Sequence, residues 1–238
     1  MKNWQYNLGI LIFVAFLGFL LVFGKSRNVA RQVENTAVEF LGNEPLFVTE
    51  NFVNKMLKES ATNTGILTKE NIDLNKVEQR IEKQKHIQNA EVYVSVNGKL
   101  EAKVKQRTPV ARVFTGIPFY LDKLGFKMPL SSNYTMRVPL VYNYTEKHKE
   151  DLINLLNFIQ KDEFLESLVV GVYCLPNNDF SLKIRNQKFS VQTGGADFLT
   201  TKFKNFKAFY AKVEKDKLFN NYKHVNLEIT NQVICTKV

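Results

Sequence analysis

The sequence predicts an α+β protein with a single N-terminal transmembrane helix followed by two folded domains. Three observations carry that expectation. Leu8 to Phe23 contains no charged or strongly polar residue. Beyond it, apolar residues recur first at helical spacing and then in strand alternation. At Pro109 the texture changes from helices and one hairpin to many short strand candidates. With 45% hydrophobic and 24% charged residues, the 238-residue chain has the composition of a folded protein.

The sixteen residues of the apolar run rise about 24 Å as a helix, short of a hydrocarbon core of roughly 30 Å. Trp4 and Tyr6 on one side, and Gly24 with the Lys25 stem on the other, extend the span. A cleaved signal peptide would carry a shorter apolar region and small residues at a cleavage site, whereas this run passes into Gly24-Lys25-Ser26-Arg27. The expectation is a retained anchor over 8–24, between a short tail over 1–7 and a linker over 25–32. Lys25, Arg27 and Arg31 beyond the span outnumber Lys2 before it, so the charge rule by itself favours a tail on the outer side.

After the linker, Thr36, Val38 and Phe40 alternate as a strand that Gly42-Asn43-Glu44-Pro45 closes. Thr49 looks like an N-cap, and Phe52, Val53, Met56 and Leu57 place a short amphipathic helix over about 50–59, interrupted by the polar stretch from Ser60 to Gly65. Asn75 with Glu78 three residues on predicts the start of a second helix that buries Val77 and Ile81. Val92, Val94 and Val96 alternate, Asn97-Gly98 follows, and Leu100, Ala102 and Val104 alternate again. That pattern predicts a two-residue hairpin with a type I′ turn.

Past Pro109, strands are expected at Val110 to Phe114, Phe119 to Leu121 and Val138 to Tyr142. A helix over about 147–160 should bury Leu152, Leu155, Leu156 and Ile159, with a strand from Ser167 to Leu175 after it. Phe180 to Ile184 and Phe189 to Gln192 complete a meander, and Gly194-Gly195 precedes a longer helix. There Leu199, Phe203, Phe206, Tyr210 and Val213 recur at helical spacing beside Lys202, Lys204, Lys207 and Lys212. An aromatic stripe among lysines could be a nucleic-acid surface, but the spacing puts the aromatics on a sheet and the lysines in water. The closing segment, with Val225, Leu227 and Ile229 alternating before Gln232-Val233-Ile234-Cys235, reads as a strand pair or one long bulged strand.

Little in the chain suggests catalysis. His86, His148 and His224 stand in unrelated contexts without a partner at ligand spacing, so no metal site is indicated. There is no nucleophile elbow, phosphate loop or dinucleotide fingerprint, and no carboxylate pair stands out for acid/base work, so no cofactor is expected. Cys174 and Cys235 are too few for a disulfide scaffold and read as buried free thiols in apolar strand contexts. The formal charge of +10 is spread over 33 Lys and Arg residues with no block of five, which describes a solvated basic face able to meet anionic lipid or acidic partners.

Four stretches together resemble the FtsQ/DivIB family. They are Ile87-Gln-Asn-Ala-Glu-Val-Tyr-Val with its hairpin, Gln106-Arg107-Thr108-Pro109-Val110-Ala111-Arg112-Val113, Tyr120-Leu121-Asp122 with Gly125, and Tyr222-Lys-His-Val-Asn-Leu-Glu-Ile. The resemblance implies a POTRA domain (strand-helix-helix-strand-strand) over 33–108 and a mixed α/β "β domain" over 109–238 that ends in an edge strand. It also implies a non-enzymatic divisome scaffold at the division septum of the bacterial cytoplasmic membrane, N-terminus inside and bulk extracytoplasmic, against the charge count. Such a scaffold would link early division proteins, an FtsK-like protein among them, to FtsL-like and FtsB (DivIC)-like partners and help control septal peptidoglycan synthesis, with no nucleic acid or small-molecule substrate. The rival is a POTRA-containing, membrane-anchored assembly factor for secreted or outer-membrane proteins, although such proteins usually carry several POTRA copies or a barrel, and no ten-residue lipid-facing repeats are present here. A membrane-anchored wall hydrolase would need the carboxylate pair or zinc set that the second domain lacks.

The candidate partner-binding element is the closing segment. Val225, Leu227 and Ile229 point one way under the aromatic helix, and the uncharged Gln232, Val233 and Ile234 leave main-chain groups available for strand addition. The competing reading places this strand inside the sheet, where it only completes the core.

Overall fold

A computed structural model describes residues 2–29, 36–42, 45–62, 72–95 and 97–238. They divide into two compact units, Met1–Gln106 and Arg107–Val238. Within the expected elements, residues 30–35, Asn43, Glu44, 63–65 and Val96 lie outside the described residues.

Helix α1 runs from Lys2 to Val29, so residues 25–29 of the expected linker continue it. Among the described residues no helix is long and apolar enough to cross a membrane, which overturns the expected transmembrane helix over 8–24. The reason is length. The apolar run falls about 6 Å short of the hydrocarbon core, and the residues that would have to make up the difference include Asn3, Gln5, Asn7, Lys25 and Arg27.

The rest of the first unit contains β1 (Thr36–Phe40), α2 (Glu50–Thr62), α3 (Leu74–Glu82), β2 (Ile87–Val94) and β3 (Leu100–Gln106). The sheet order is β1-β3-β2, with β1 parallel and β2 antiparallel to β3. Val53, Met56 and Leu57 of α2 and Val77 and Ile81 of α3 pack on Ala90, Val92, Leu100, Ala102 and Val104. Asp73, not Asn75, caps α3, its carboxylate accepting the Lys76 N–H at 3.1 Å. Glu78 is used elsewhere. With Glu82 it reaches across to β2, where the two carboxylates accept the N–H groups of Val92 (2.8 Å) and Ala90 (3.1 Å) and so occupy donors of an edge strand. The hairpin turn also differs from the expected form. Ser95 N–H donates to Lys99 O and Gly98 N–H to Ser95 O, with Gly98 at φ 78°, which is a three-residue loop closed by a left-handed glycine.

The second unit is built on one nine-stranded sheet. Its strands are β4 (Pro109–Phe114), β5 (Phe119–Asp122), β6 (Lys127–Pro129), β7 (Leu140–Tyr142), β8 (Val169–Cys174), β9 (Phe180–Ile184), β10 (Ser190–Gly194), β11 (Tyr222–Asn226) and β12 (Ile234–Lys237). They lie in the order β12-β11-β10-β9-β8-β7-β4-β5-β6. The β4/β7, β7/β8 and β10/β11 pairs are parallel and the others antiparallel, so the architecture is α+β with mixed sheets. Helices α4 (Lys149–Gln160), α5 (Glu163–Leu168) and α6 (Leu199–Lys215) complete it. Leu152, Leu155, Leu156 and Ile159 of α4 and Phe203, Phe206 and Tyr210 of α6 form one core with Ala111, Val113, Val141, Val172, Leu182, Val191 and Val225.

Where a strand was expected to begin at Ser167, α5 occupies the first two residues. Asp162 initiates it by accepting the Leu165 N–H at 3.2 Å. Strand β6 is only three residues long and ends in Pro129, with Lys127 exposed. The two cysteines are free, Cys174 buried and Cys235 half-buried.

Candidate functional site

β12 is the last strand of the large sheet and lies beyond β11, which is paired on both sides. The hydrogen-bond parity shows which β12 groups face away from the sheet. Leu227 N–H donates to Gln192 O at 2.8 Å, so Leu227, and Val225 two residues before it, turn their main-chain groups toward β10. His224 and Asn226 therefore turn theirs toward β12, where they pair with Thr236 and Ile234. Val238 N–H continues that inward series, donating to Asn221 O at 3.0 Å. The N–H and C=O groups of Cys235 and Lys237, offset by one residue, point outward from the edge.

The candidate side chains divide into two groups. Val225 and Leu227 are buried in the core cluster, where they hold β11 beneath α6. Ile229 (51% exposed) and Gln232 lie in the turn between β11 and β12, and Val233 packs partly against the core. Ile234 opens β12 and is 46% exposed. Asn205 of α6 holds the turn, its amide donating to Thr230 O at 2.8 Å.

The residues that carry the family resemblance near Pro109 have structural work of their own. The Gln106 side-chain oxygen accepts the N–H groups of Phe47 (2.9 Å) and Val48 (3.0 Å). Arg107 Nη1 donates to Asp122 Oδ2 at 2.8 Å and its guanidinium lies 4.6 Å from the Phe126 ring centroid. Asp122 Oδ1 accepts from Leu124 (2.9 Å) and Phe126 (2.7 Å), and Gly125 takes φ 78° to close this turn. The family resemblance marked these residues as a motif without revealing these bonds, because the partners lie up to 59 positions apart.

The titratable groups fit this structural picture. His148 is buried: its Nδ1 accepts the Thr145 N–H at 3.2 Å, so Nε2–H donates to Leu175 O at 3.1 Å. Burial pushes the Cys174 thiol up to about 12 and raises that of Cys235. Tyr144 is likewise pushed up to about 12, by burial first and then by the Glu146 carboxylate. Among the described residues no cluster of His, Cys, Asp and Glu could hold a metal ion.

No curated protein matches the chain. The family described as "FtsQ/DivIB, C-terminal related" matches residues 108–236, which is more than half of the sequence and covers all of the large sheet except Lys237 at the end of β12. That family comprises non-enzymatic scaffolds of cell division, associated with the septum and working through other division proteins. By that match the chain belongs to the FtsQ/DivIB family of cell-division proteins.

Proposed function

We propose that the protein is a divisome scaffold that takes a strand from an FtsB- or DivIC-type partner along β12, linking early division proteins, an FtsK-like protein among them, to FtsB- and FtsL-like ones and so helping to control septal peptidoglycan synthesis. The observation that carries the reading is the outward main chain of Cys235 and Lys237 on a terminal strand. Strand addition draws affinity from that ladder and specificity from the side chains beside it, here Ile234, Ile229, Gln232 and Val233. Val225 and Leu227 support the edge from the core side. The first unit's strand-helix-helix-strand-strand order supports its assignment as a POTRA domain over about 33–108, followed by the β domain over 109–238.

The test is Cys235→Pro, which removes one outward donor while leaving the inward pairs of Ile234 and Thr236 intact. Loss of the hydrogen bond donated there, worth about 0.5–1.5 kcal/mol net, weakens binding of a purified DivIC-type partner by about 2- to 13-fold. Lys127→Pro on β6, at the opposite edge, leaves it unchanged. A Cys235→Pro protein that melts as the wild type does and binds the partner with wild-type affinity would overturn the proposal.

A further inference from the structure

The helices pack on one face of the large sheet and leave much of the other uncovered. Directly opposed residues share a face, so the strand registers define two rows across this second face. One runs Arg112–Leu140–Gly171–Lys183 and the other Phe114–Tyr142–Tyr173. At one end, Tyr120 and Met128 are buried, and Tyr120 Oη accepts the Met136 N–H at 3.2 Å, so the segment after β6 walls that side. From β4 onward the face is open: Phe114 is 52% exposed, Lys183 is exposed, and Leu140, Tyr142 and Tyr173 are half-buried.

Two features of this floor point to an occupant. The Tyr142 and Tyr173 rings stack 4.8 Å apart, with Phe114 6.3 Å further along, so aromatic surface stands in a continuous ridge. Neither row contains a carboxylate, and Arg112 Nε is buried with no hydrogen-bond partner among the described residues. A buried guanidinium N–H without an acceptor is costly, and a carboxylate is the group that fits it.

We infer that this face binds an acidic segment of a partner protein lying across strands β4 to β9, one carboxylate on Arg112, a second on Lys183, and apolar side chains against the Tyr142–Tyr173 ridge. The spacing selects a peptide over a phosphate polymer. The two cations are three strand intervals apart, roughly 14 Å, which matches carboxylates four residues apart in an extended chain at about 3.4 Å per residue. Only Leu140 and Gly171 stand between them in the row, whereas a polyphosphate chain is held by successive cations. This surface lies several strands from the β12 edge and does not depend on it.

The probe is a fluorescein-labelled peptide containing Glu-Thr-Leu-Thr-Glu, whose Leu shares a face with both Glu when extended, titrated with the full chain by fluorescence anisotropy, beside the same peptide with both Glu replaced by Gln. The Glu peptide binds at least tenfold more tightly than the Gln peptide. Lys183→Glu and Arg112→Gln each weaken it at least fivefold, as does Tyr142→Ser, while Cys235→Pro leaves it unchanged. Lys183 is exposed, so its variant reports on binding without disturbing the core. Equal affinity for the two peptides, or wild-type affinity in Lys183→Glu, overturns the inference. So does displacement by inorganic polyphosphate with no effect of Tyr142→Ser, which would make the face a polyanion surface.

Discussion

Replacing Asp122 by Ala removes a carboxylate that is only 3% exposed and holds three donors at once: Arg107 at 2.8 Å and the N–H groups of Leu124 and Phe126 at 2.9 and 2.7 Å. The substitution strands the guanidinium and orphans two amides of the β5–β6 turn. Breaking a buried pair by removing one member costs about 3–5 kcal/mol. Because the Arg107 side chain keeps 17% of its surface in solvent, the lower part of that range applies, about 3–4 kcal/mol. With an unfolding entropy of roughly 2.1 cal/mol/K per residue over a unit of about 130 residues, that cost lowers the melting temperature of the second unit by about 11–14 °C. Calorimetry on Asp122→Ala, Arg107→Ala and the double variant measures it. Asp122→Asn falls in between, since it retains an acceptor for the two amides but turns an N–H toward Arg107. A shift under about 4 °C for Asp122→Ala, or single-variant costs that simply add in the double variant, would refute the claim that this pair organises the start of the sheet.

Gln106→Ala leaves the Phe47 and Val48 amides without their acceptor and destabilises the first unit by about 2–4 kcal/mol, read as faster hydrogen exchange of its core amides. Asp162 is held below its ordinary value of 3.8, first by its hydrogen bond to Lys207, so the ionised form is favoured in the folded protein. Its contribution is therefore fully present above about pH 4 and lost as pH falls through the depressed folded value; Asp162→Asn removes this component from urea-unfolding midpoints measured between about pH 5 and 2. Maleimide labels half-buried Cys235 without prior reduction, while buried Cys174 reacts only through unfolding, and label uptake that requires reductant would show a bridge instead. Phe206→Ala opens a cavity at the centre of the α6 packing and costs about 3–5 kcal/mol by chemical denaturation.

Strong periodicity made some elements legible. The Leu199-to-Val213 stripe of α6 packs as its spacing requires, and the β2 and β3 alternations form the expected hairpin. Their local chemistry was less readable: Gly98 closes a three-residue loop, and Glu78 serves β2 instead of capping its own helix, because both choices depend on main-chain groups brought close only by folding. The six residues of α5 are too few to display a helical period. For α1, apolar composition suggested a span that the length of the run does not supply. At the candidate site, the alternation of Val225 and Leu227 identifies a buried face but cannot say which strand is outermost. That is a property of strand order, set by the parallel placement of β11 beside β10 after the α6 crossover.

The two borders of the large sheet are unequal, and this bears on how assembly stops. A sheet with two receptive borders can grow without limit, each added copy exposing a new border for the next. Here β6 offers three residues, a proline and an exposed lysine, which discourage further pairing, while β12 leaves outward main chain at the other border. Growth can therefore proceed from one side only. On the proposed function a guest strand would occupy the β12 border, and two copies meeting there would bury both open borders in a single symmetric contact, which would end growth in small, countable complexes instead of fibres.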